Sequence, residues 1–172
     1  SRYHSKAGVN LKYLTTVSHF GGNKKVTTVV TADGQKLACD LVVVGIGIEP
    51  EVELAETAGL PCKDGIIVDE FACTEGQNIF AAGDCTNHPN QLLSKRIRLE
   101  SVQNAIDQAK AGIQTFLGEK TPYKTVPWFW SDQYDLKLQI AGLSEGYDQI
   151  VVRGDPKKAP FAVFYIRDGR IV

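Results

Sequence analysis

Residues 78–86 read Asn-Ile-Phe-Ala-Ala-Gly-Asp-Cys-Thr, an apolar run that narrows to alanine, then glycine, then a single acid. Ligands of α/β sheets sit at strand ends, and glycine lets a backbone come close to them. A carboxylate beside that glycine can accept hydrogen bonds from a ribityl or ribose hydroxyl chain. Gly83 and Asp84 are therefore candidate ligand-binding residues. The alternative is an aspartate that merely caps a turn.

Other segments could also carry chemistry. A helix starting at Ser101–Val102 would offer free amides and a partial positive charge. That charge suits the electron-rich edge of a reduced flavin ring, although the same helix would also serve as a plain amphipathic core element. Trp128, Phe129 and Trp130 could cover a cofactor ring and exclude water, or pack a small β-rich core. Gly45-Ile46-Gly47 permits a sharp turn or close ligand approach but lacks the third glycine of a dinucleotide fingerprint. Lys95, Arg96 and Arg98 read as a solvated basic loop. No Ser–His–Asp, paired-carboxylate or Cys–His arrangement can be argued.

These residues need elements to hold them. Residues 1–7 read as a helix end stopped by Gly8. Gly21-Gly22-Asn23 and Asp33-Gly34 separate the runs 9–20, 24–32 and 35–39, which predicts an antiparallel meander with a tight Asp-Gly hairpin. Leu41–Val44 is continuously apolar and predicts a strand buried on both faces of a parallel sheet. Pro50, Glu51 and Glu53 suit the start of a short helix that Gly59 ends. Residues 63–66 read as a turn into the strand 66–68. Residues 78–82 read as a strand, and 85–99 as a polar loop. The strongest helix is 102–117, with Ser101 as N-cap and Gly118 as stop. Val102, Ala105, Ile106, Ala109, Ile113, Phe116 and Leu117 fall on one face, which is the expected core face. Pro122 and Pro127 bracket a linker, and strands follow at 136–141, 149–153 and 161–167.

The bulk composition is that of a globular protein, with 43% apolar and 23% charged residues. A net charge of −1 gives no reason to expect nucleic acid or an acidic membrane as partner. Cys39, Cys62, Cys73 and Cys85 show no C-x-x-C spacing, and the three histidines do not cluster. Reduced thiols of this kind fit a cytoplasmic protein. The chain lacks methionine and ends just past an Asp168-Gly169 turn, so it reads as a piece of a longer protein.

Four strings bring these features together: residues 40–50 (DLVVVGIGIEP), 74–84 (TEGQNIFAAGD), 98–105 (RLESVQNA) and 126–134 (VPWFWSDQY). In type, order and spacing they resemble the FAD-dependent ferredoxin reductases of oxygenase systems, relatives of glutathione reductase. The resemblance spans nearly the whole chain. It implies an α/β fold: a partial FAD/NAD(P)-binding, glutathione-reductase-like fold followed by part of an α+β reductase C-terminal domain. Residues 1–40 would end the NAD(P)H domain, 41–120 would be the returning segment of the FAD domain, and 121–172 would begin the C-terminal domain.

The resemblance also implies roles. Asp84 would hold the ribityl chain of FAD, Gly83 would let the cofactor near, Val102 would touch the flavin ring, and Trp130 would lie beside it on the redox-partner side. Glu100 would sit near the nicotinamide, and Gly45, Ile46 and Gly47 would approach NADH or NADPH. The implied reaction is hydride transfer from nicotinamide C4 to flavin N5, then single electrons to a two-iron, two-sulfur ferredoxin; the cofactor carries the chemistry. Both G-x-G-x-x-G fingerprints lie upstream in that family and are absent here. The isolated chain is therefore expected to bind FAD weakly, to lack reductase activity, and to self-associate through 41–44. Competing expectations are an NADH oxidase, a nitrite or disulfide reductase, or a non-catalytic module docking an acidic partner on Lys95, Arg96, Arg98 and Lys110.

Overall fold

The computed structural model describes residues 2–172. The chain divides into two compact units, with the boundary between Ile48 and Glu49.

In the first unit, α1 (Arg2–Lys6) stops where the Gly8 amide meets the Ser5 carbonyl at 3.1 Å. An antiparallel meander follows, of β1 (Val17–Gly22), β2 (Val26–Thr31) and β3 (Lys36–Ala38), in the order β1-β2-β3. This is the expected meander, with its first strand starting at Val17 rather than at Val9. The Asp33-Gly34 turn is not the tight hairpin expected. Only Gly34 takes positive φ, at 85°. Asp33 instead caps the turn: its carboxylate accepts from the Thr31 hydroxyl and, at 3.4 Å, from the Gln35 amide. These hydrogen bonds, the Thr31 one foremost, hold the Asp33 carboxyl below its ordinary pKa.

Leu41–Val44 does not form the expected strand. The segment has no ladder partner among the described residues, and Leu41, Val43 and Val44 are exposed. Apolar character favours burial, but a strand exists only where a neighbour supplies the other half of the ladder.

The second unit begins with α2 (Glu53–Thr57), where the Glu51 carboxylate accepts from the Glu53 amide at 3.3 Å. A three-stranded sheet is built from β4 (Ile66–Ile67), β5 (Thr86–Asn90) and β6 (Lys95–Ile97). β4 runs parallel to β5, with Ile66 opposite Thr86, and β5 runs antiparallel to β6, with His88 opposite Ile97. The stretch expected as a polar loop thus holds two strands. Thr86, Asn87 and His88 are buried. Such burial is tolerable when polar groups find partners. Asn87 Nδ2 donates to the Lys63 carbonyl at 2.8 Å and Asn87 Oδ1 accepts from Arg96 Nε at 3.0 Å.

Residues 78–82 are not a ladder strand. Phe80 makes a single antiparallel bridge to Cys73, and Asn78 sits at φ 60°.

The long helix is α3 (Val102–Phe116), and Ser101 caps it as expected: its Oγ accepts from the Asn104 amide at 3.1 Å. Its orientation is the reverse of the expectation. Asn104, Gln108, Ala111 and Gly112 are its buried residues. Val102, Ile106, Ile113, Phe116 and Leu117, on the face expected to be the core, are exposed. Gly112 is inside because the helix comes close there: an added Cβ would stand 3.3 Å from that of Ala72.

A hairpin of β7 (Trp128–Gln133) and β8 (Leu136–Ala141) follows, and β7 packs against α3. The chain ends in an antiparallel sheet of β9 (Gln149–Arg153), β10 (Ala162–Arg167) and β11 (Arg170–Ile171), in the order β11-β10-β9. The later strands match the expected spans closely, while β7 arises from residues read only as an aromatic cluster. Among the described residues no helix is long and apolar enough to cross a membrane.

Candidate functional site

The turn carrying Asp84 is anchored from inside the second unit. Gly83 is buried at φ 91°, where an added Cβ would lie 3.6 Å from that of Ala105 on α3. The Gly83 amide donates to Gln108 Oε1 at 2.8 Å. The Thr86 hydroxyl reaches the same oxygen at 2.8 Å, and the Gly83 carbonyl at 2.8 Å. This network leaves Asp84 exposed at the apex. No hydrogen bond or ion pair among the described residues takes up its carboxylate.

A second anchor holds the same turn from the side. The Arg98 side chain is only 13% exposed. Its Nε donates to Asp64 Oδ1 at 2.9 Å, and its Nη1 to Glu100 Oε1 at 2.8 Å and to the Asp84 carbonyl at 3.4 Å. The Asp64 contact chiefly, with that of Glu100, raises the Arg98 pKa further above its ordinary value.

Glu100 and Ser101 continue from this anchor into a shallow cavity of about 210 Å³, closed on its other side by Pro127, Trp128 and Phe129. Trp130 stacks on Trp128, with ring centroids 5.1 Å apart and planes 27° apart. Val102 is exposed at the start of α3. The helix leaves the Val102 and Gln103 amides without intrahelical acceptors. Gln103 Oε1 is buried there without a hydrogen-bond partner.

Five expected residues, with Arg98 and Trp128 between them, therefore form one continuous region of the second unit. Gly83 and Asp84 adjoin Arg98, which holds Glu100; Glu100 shares a cavity with Trp128, which carries Trp130; Val102 starts the helix between them. Gly45, Ile46 and Gly47 belong to the first unit. They form an exposed loop with Gly47 at φ 105°, and nothing stands within 4 Å of a Cβ added at either glycine. The residues of the second unit fit a flavin nucleotide: a free carboxylate for hydroxyls, a glycine of positive φ beside it, unpaired helix amides for an anionic ring edge, and stacked aromatics.

Sequence reasoning missed Asp64 and Gln108 and read Arg98 as solvated. Gln108 carried no signal, being one of several polar residues on a helix that also holds Gln103, Asn104, Asp107 and Lys110. The basic residues are not a free patch. Arg96 Nη2 donates to the Val68 carbonyl at 2.5 Å, Lys95 pairs with Glu145, and Lys110 lies 3.6 Å from Asp107. All four cysteines are free thiols, and no group of three or more His, Cys, Asp or Glu among the described residues could hold a metal.

Beneath β5, His88 and Tyr123 meet edge to face with centroids 5.3 Å apart. Both His88 ring nitrogens and the Tyr123 hydroxyl lack hydrogen-bond partners. Burial, with the Arg96 charge adding to it, lowers the His88 pKa to about 4. Burial foremost, then the Asp107 charge, raises that of Tyr123 to about 12.

A parallel β4–β5 pair that starts from a glycine-acid turn packed on a capped helix is part of a nucleotide-binding flavoprotein fold. The chain belongs to the pyridine nucleotide-disulphide oxidoreductase family, whose model matches residues 1–109; a reductase C-terminal model matches 128–172. It is 42% identical over 172 residues to putidaredoxin reductase CamA of Pseudomonas putida, covering 98% of this chain and 41% of that protein. It is also 42% identical, over 173 residues, to rhodocoxin reductase of Rhodococcus erythropolis, covering 100% of this chain and 40% of that protein. The crystal structure of a covalent putidaredoxin reductase–putidaredoxin complex superposes with a TM-score of 0.91 at 42% identity, over 99% of this chain and 42% of that one. The chain thus spans about two fifths of the length of these relatives.

Proposed function

We propose that this chain is the flavin-facing part of an NAD(P)H-dependent ferredoxin reductase that serves an oxygenase. Electrons pass from NADH or NADPH through FAD to a two-iron, two-sulfur ferredoxin. The observation that carries this reading is the free Asp84 carboxylate, held at the apex of a turn by Gln108 and Arg98 and set beside the start of α3. The likeness to putidaredoxin reductase, over 98% of this chain and 41% of that protein, supports it.

In this reading Asp84 binds the ribityl hydroxyls, and Gly83 admits the cofactor. Val102 and the helix amides meet the ring, Trp130 excludes water on the ferredoxin side, and Glu100 faces the nicotinamide. The backbone of Gly45, Ile46 and Gly47 contributes to the NAD(P)H site. Residues 1–40 close the NAD(P)H domain, 41–120 belong to the FAD domain, and 121–172 to the C-terminal domain. The chemistry FAD supplies when bound is the exchange of a hydride for single electrons; the chain binds, orients and shields it. A reducing cytoplasm, which supplies the nicotinamide and keeps the four thiols free, is the fitting compartment.

The test is made on the natural chain that carries this sequence. It should purify with FAD and reduce a two-iron, two-sulfur ferredoxin with a reduced nicotinamide, and Asp84→Ala should weaken FAD binding roughly tenfold or more. A protein that takes up no flavin, or an Asp84→Ala variant that binds it unchanged, would overturn the reading. The 172-residue piece alone should show no tight FAD quenching.

A further inference from the structure

We propose that Arg98 is a positioning residue that couples the turn carrying Asp84 to the cavity-lining carboxylate of Glu100, an inference that rests on the flavin reading above. Its three acceptors belong to three separate segments: Asp64 in the turn before β4, Asp84 at the turn before β5, and Glu100 just ahead of α3. Among the described residues, no other side chain hydrogen-bonds to all three.

The fold is shaped to let this happen. Gly65 stands at φ 105°, and a Cβ there would lie 2.8 Å from the Cys85 carbonyl oxygen and 3.2 Å from Arg98 Cδ. Only glycine lets the Asp64 turn close over both the strand end and the arginine stem. Arg98 is also the right residue type. A planar guanidinium offers five donors in a fixed fork, so it can hold two carboxylates and a carbonyl together. An ammonium is a compact charge that cannot reach all three at once.

The electrostatics make the arrangement interdependent. Asp64 and Glu100 approach the same guanidinium from two sides, and the cation between them removes their mutual repulsion. Without it, Glu100 would lose the hydrogen bond that holds it at the cavity edge. Arg98 thereby sets where Glu100 stands relative to Asp84, which means where the nicotinamide end of the site stands relative to the ribityl end.

The experiment compares Arg98→Met, Arg98→Lys and Asp64→Asn, with Asp84→Ala as control, in the natural chain carrying this sequence. FAD affinity is read by fluorescence, and KM and kcat for NADH with ferricyanide as acceptor. Arg98→Met should weaken FAD roughly tenfold and raise KM by a similar factor. Arg98→Lys should restore part of both, because one carboxylate contact survives. Asp64→Asn should raise KM about threefold with kcat nearly unchanged. If Arg98→Met does not fold, Arg98→Lys and Asp64→Asn decide. Unchanged KM and FAD affinity in both would overturn the proposal, as would Arg98→Met within about twofold of wild type. If Asp84→Ala weakens FAD while the Arg98 variants do not, this proposal alone falls. If Asp84→Ala leaves FAD binding unchanged, the flavin reading falls and takes this one with it.

Discussion

Gln108 Oε1 accepts from the Gly83 amide and from the Thr86 hydroxyl, both at 2.8 Å, so one buried side chain of α3 closes the turn that presents Asp84. Gln108→Leu would keep the volume and remove the acceptor, leaving a buried amide without a partner. The expected loss is about 2 kcal/mol of unfolding free energy. Urea denaturation measures it, and a change under about 0.5 kcal/mol would show that the turn does not depend on this contact.

Gly65 is required twice over, by its backbone angle and by its neighbours. Its φ is 105°, and an added Cβ would meet the Cys85 carbonyl oxygen at 2.8 Å. Gly65→Ala should cost about 2–3 kcal/mol, because backbone rather than a flexible side chain must move. Thermal unfolding would show it, and an alanine variant as stable as the parent would mean that the β4–β5 junction yields easily.

His88 makes stability depend on pH. Its pKa is about 4 in the folded chain, lowered by burial and by Arg96, against an ordinary 6.5. The unfolded chain therefore binds the proton more readily between those values. Stability from this group is fully present above pH 6.5, falls as pH drops toward 4, and does not change further below that. The loss is on the order of 3 kcal/mol. Unfolding free energies at a series of pH values, for wild type and His88→Phe, test this. The variant should lose the decline in that window, and equal slopes would assign the dependence to other groups.

The outward face of α3 should drive association. Ile113 is 60% exposed, Phe116 65% and Leu117 70%. Contiguous apolar exposure of this kind is unusual on a monomer and favours self-contact. Sedimentation should show species heavier than the monomer as concentration rises, and Ile113→Lys with Phe116→Lys should shift them back. Leu41, Val43 and Val44 are exposed in the other unit and offer a second source. If the helix variants change nothing while Val43→Lys does, that segment is the one responsible.

Much of the local structure is legible in the sequence because its causes are local. The 3.6-residue period and Ser101 mark α3, and the capping hydrogen bond lies where the motif puts it. Turn residues delimit the meander, and runs of strand-forming residues mark β8 and β9. The glycine-acid turn at 83–84 is visible as a candidate site because residue type alone carries that chemistry.

Tertiary structure decided what depends on neighbours. Periodicity shows that α3 has an apolar face but cannot say which face meets the protein. In the folded chain Gln108 is inside, where it accepts from the Gly83 amide and the Thr86 hydroxyl, while Ile106 and Ile113 face outward. Thr86–Asn90 reads as loop because it is polar; it becomes a buried strand because Ile66, Ile97, Lys63 and Arg96 supply its partners. Leu41–Val44 has the composition of a strand and no ladder partner among the described residues. Arg98 looks like one more surface cation until the fold brings Asp64, Asp84 and Glu100 around it. A sequence carries each residue's own chemistry, whereas pairing, burial of polar groups and ionic contacts are properties of two or more segments meeting in space.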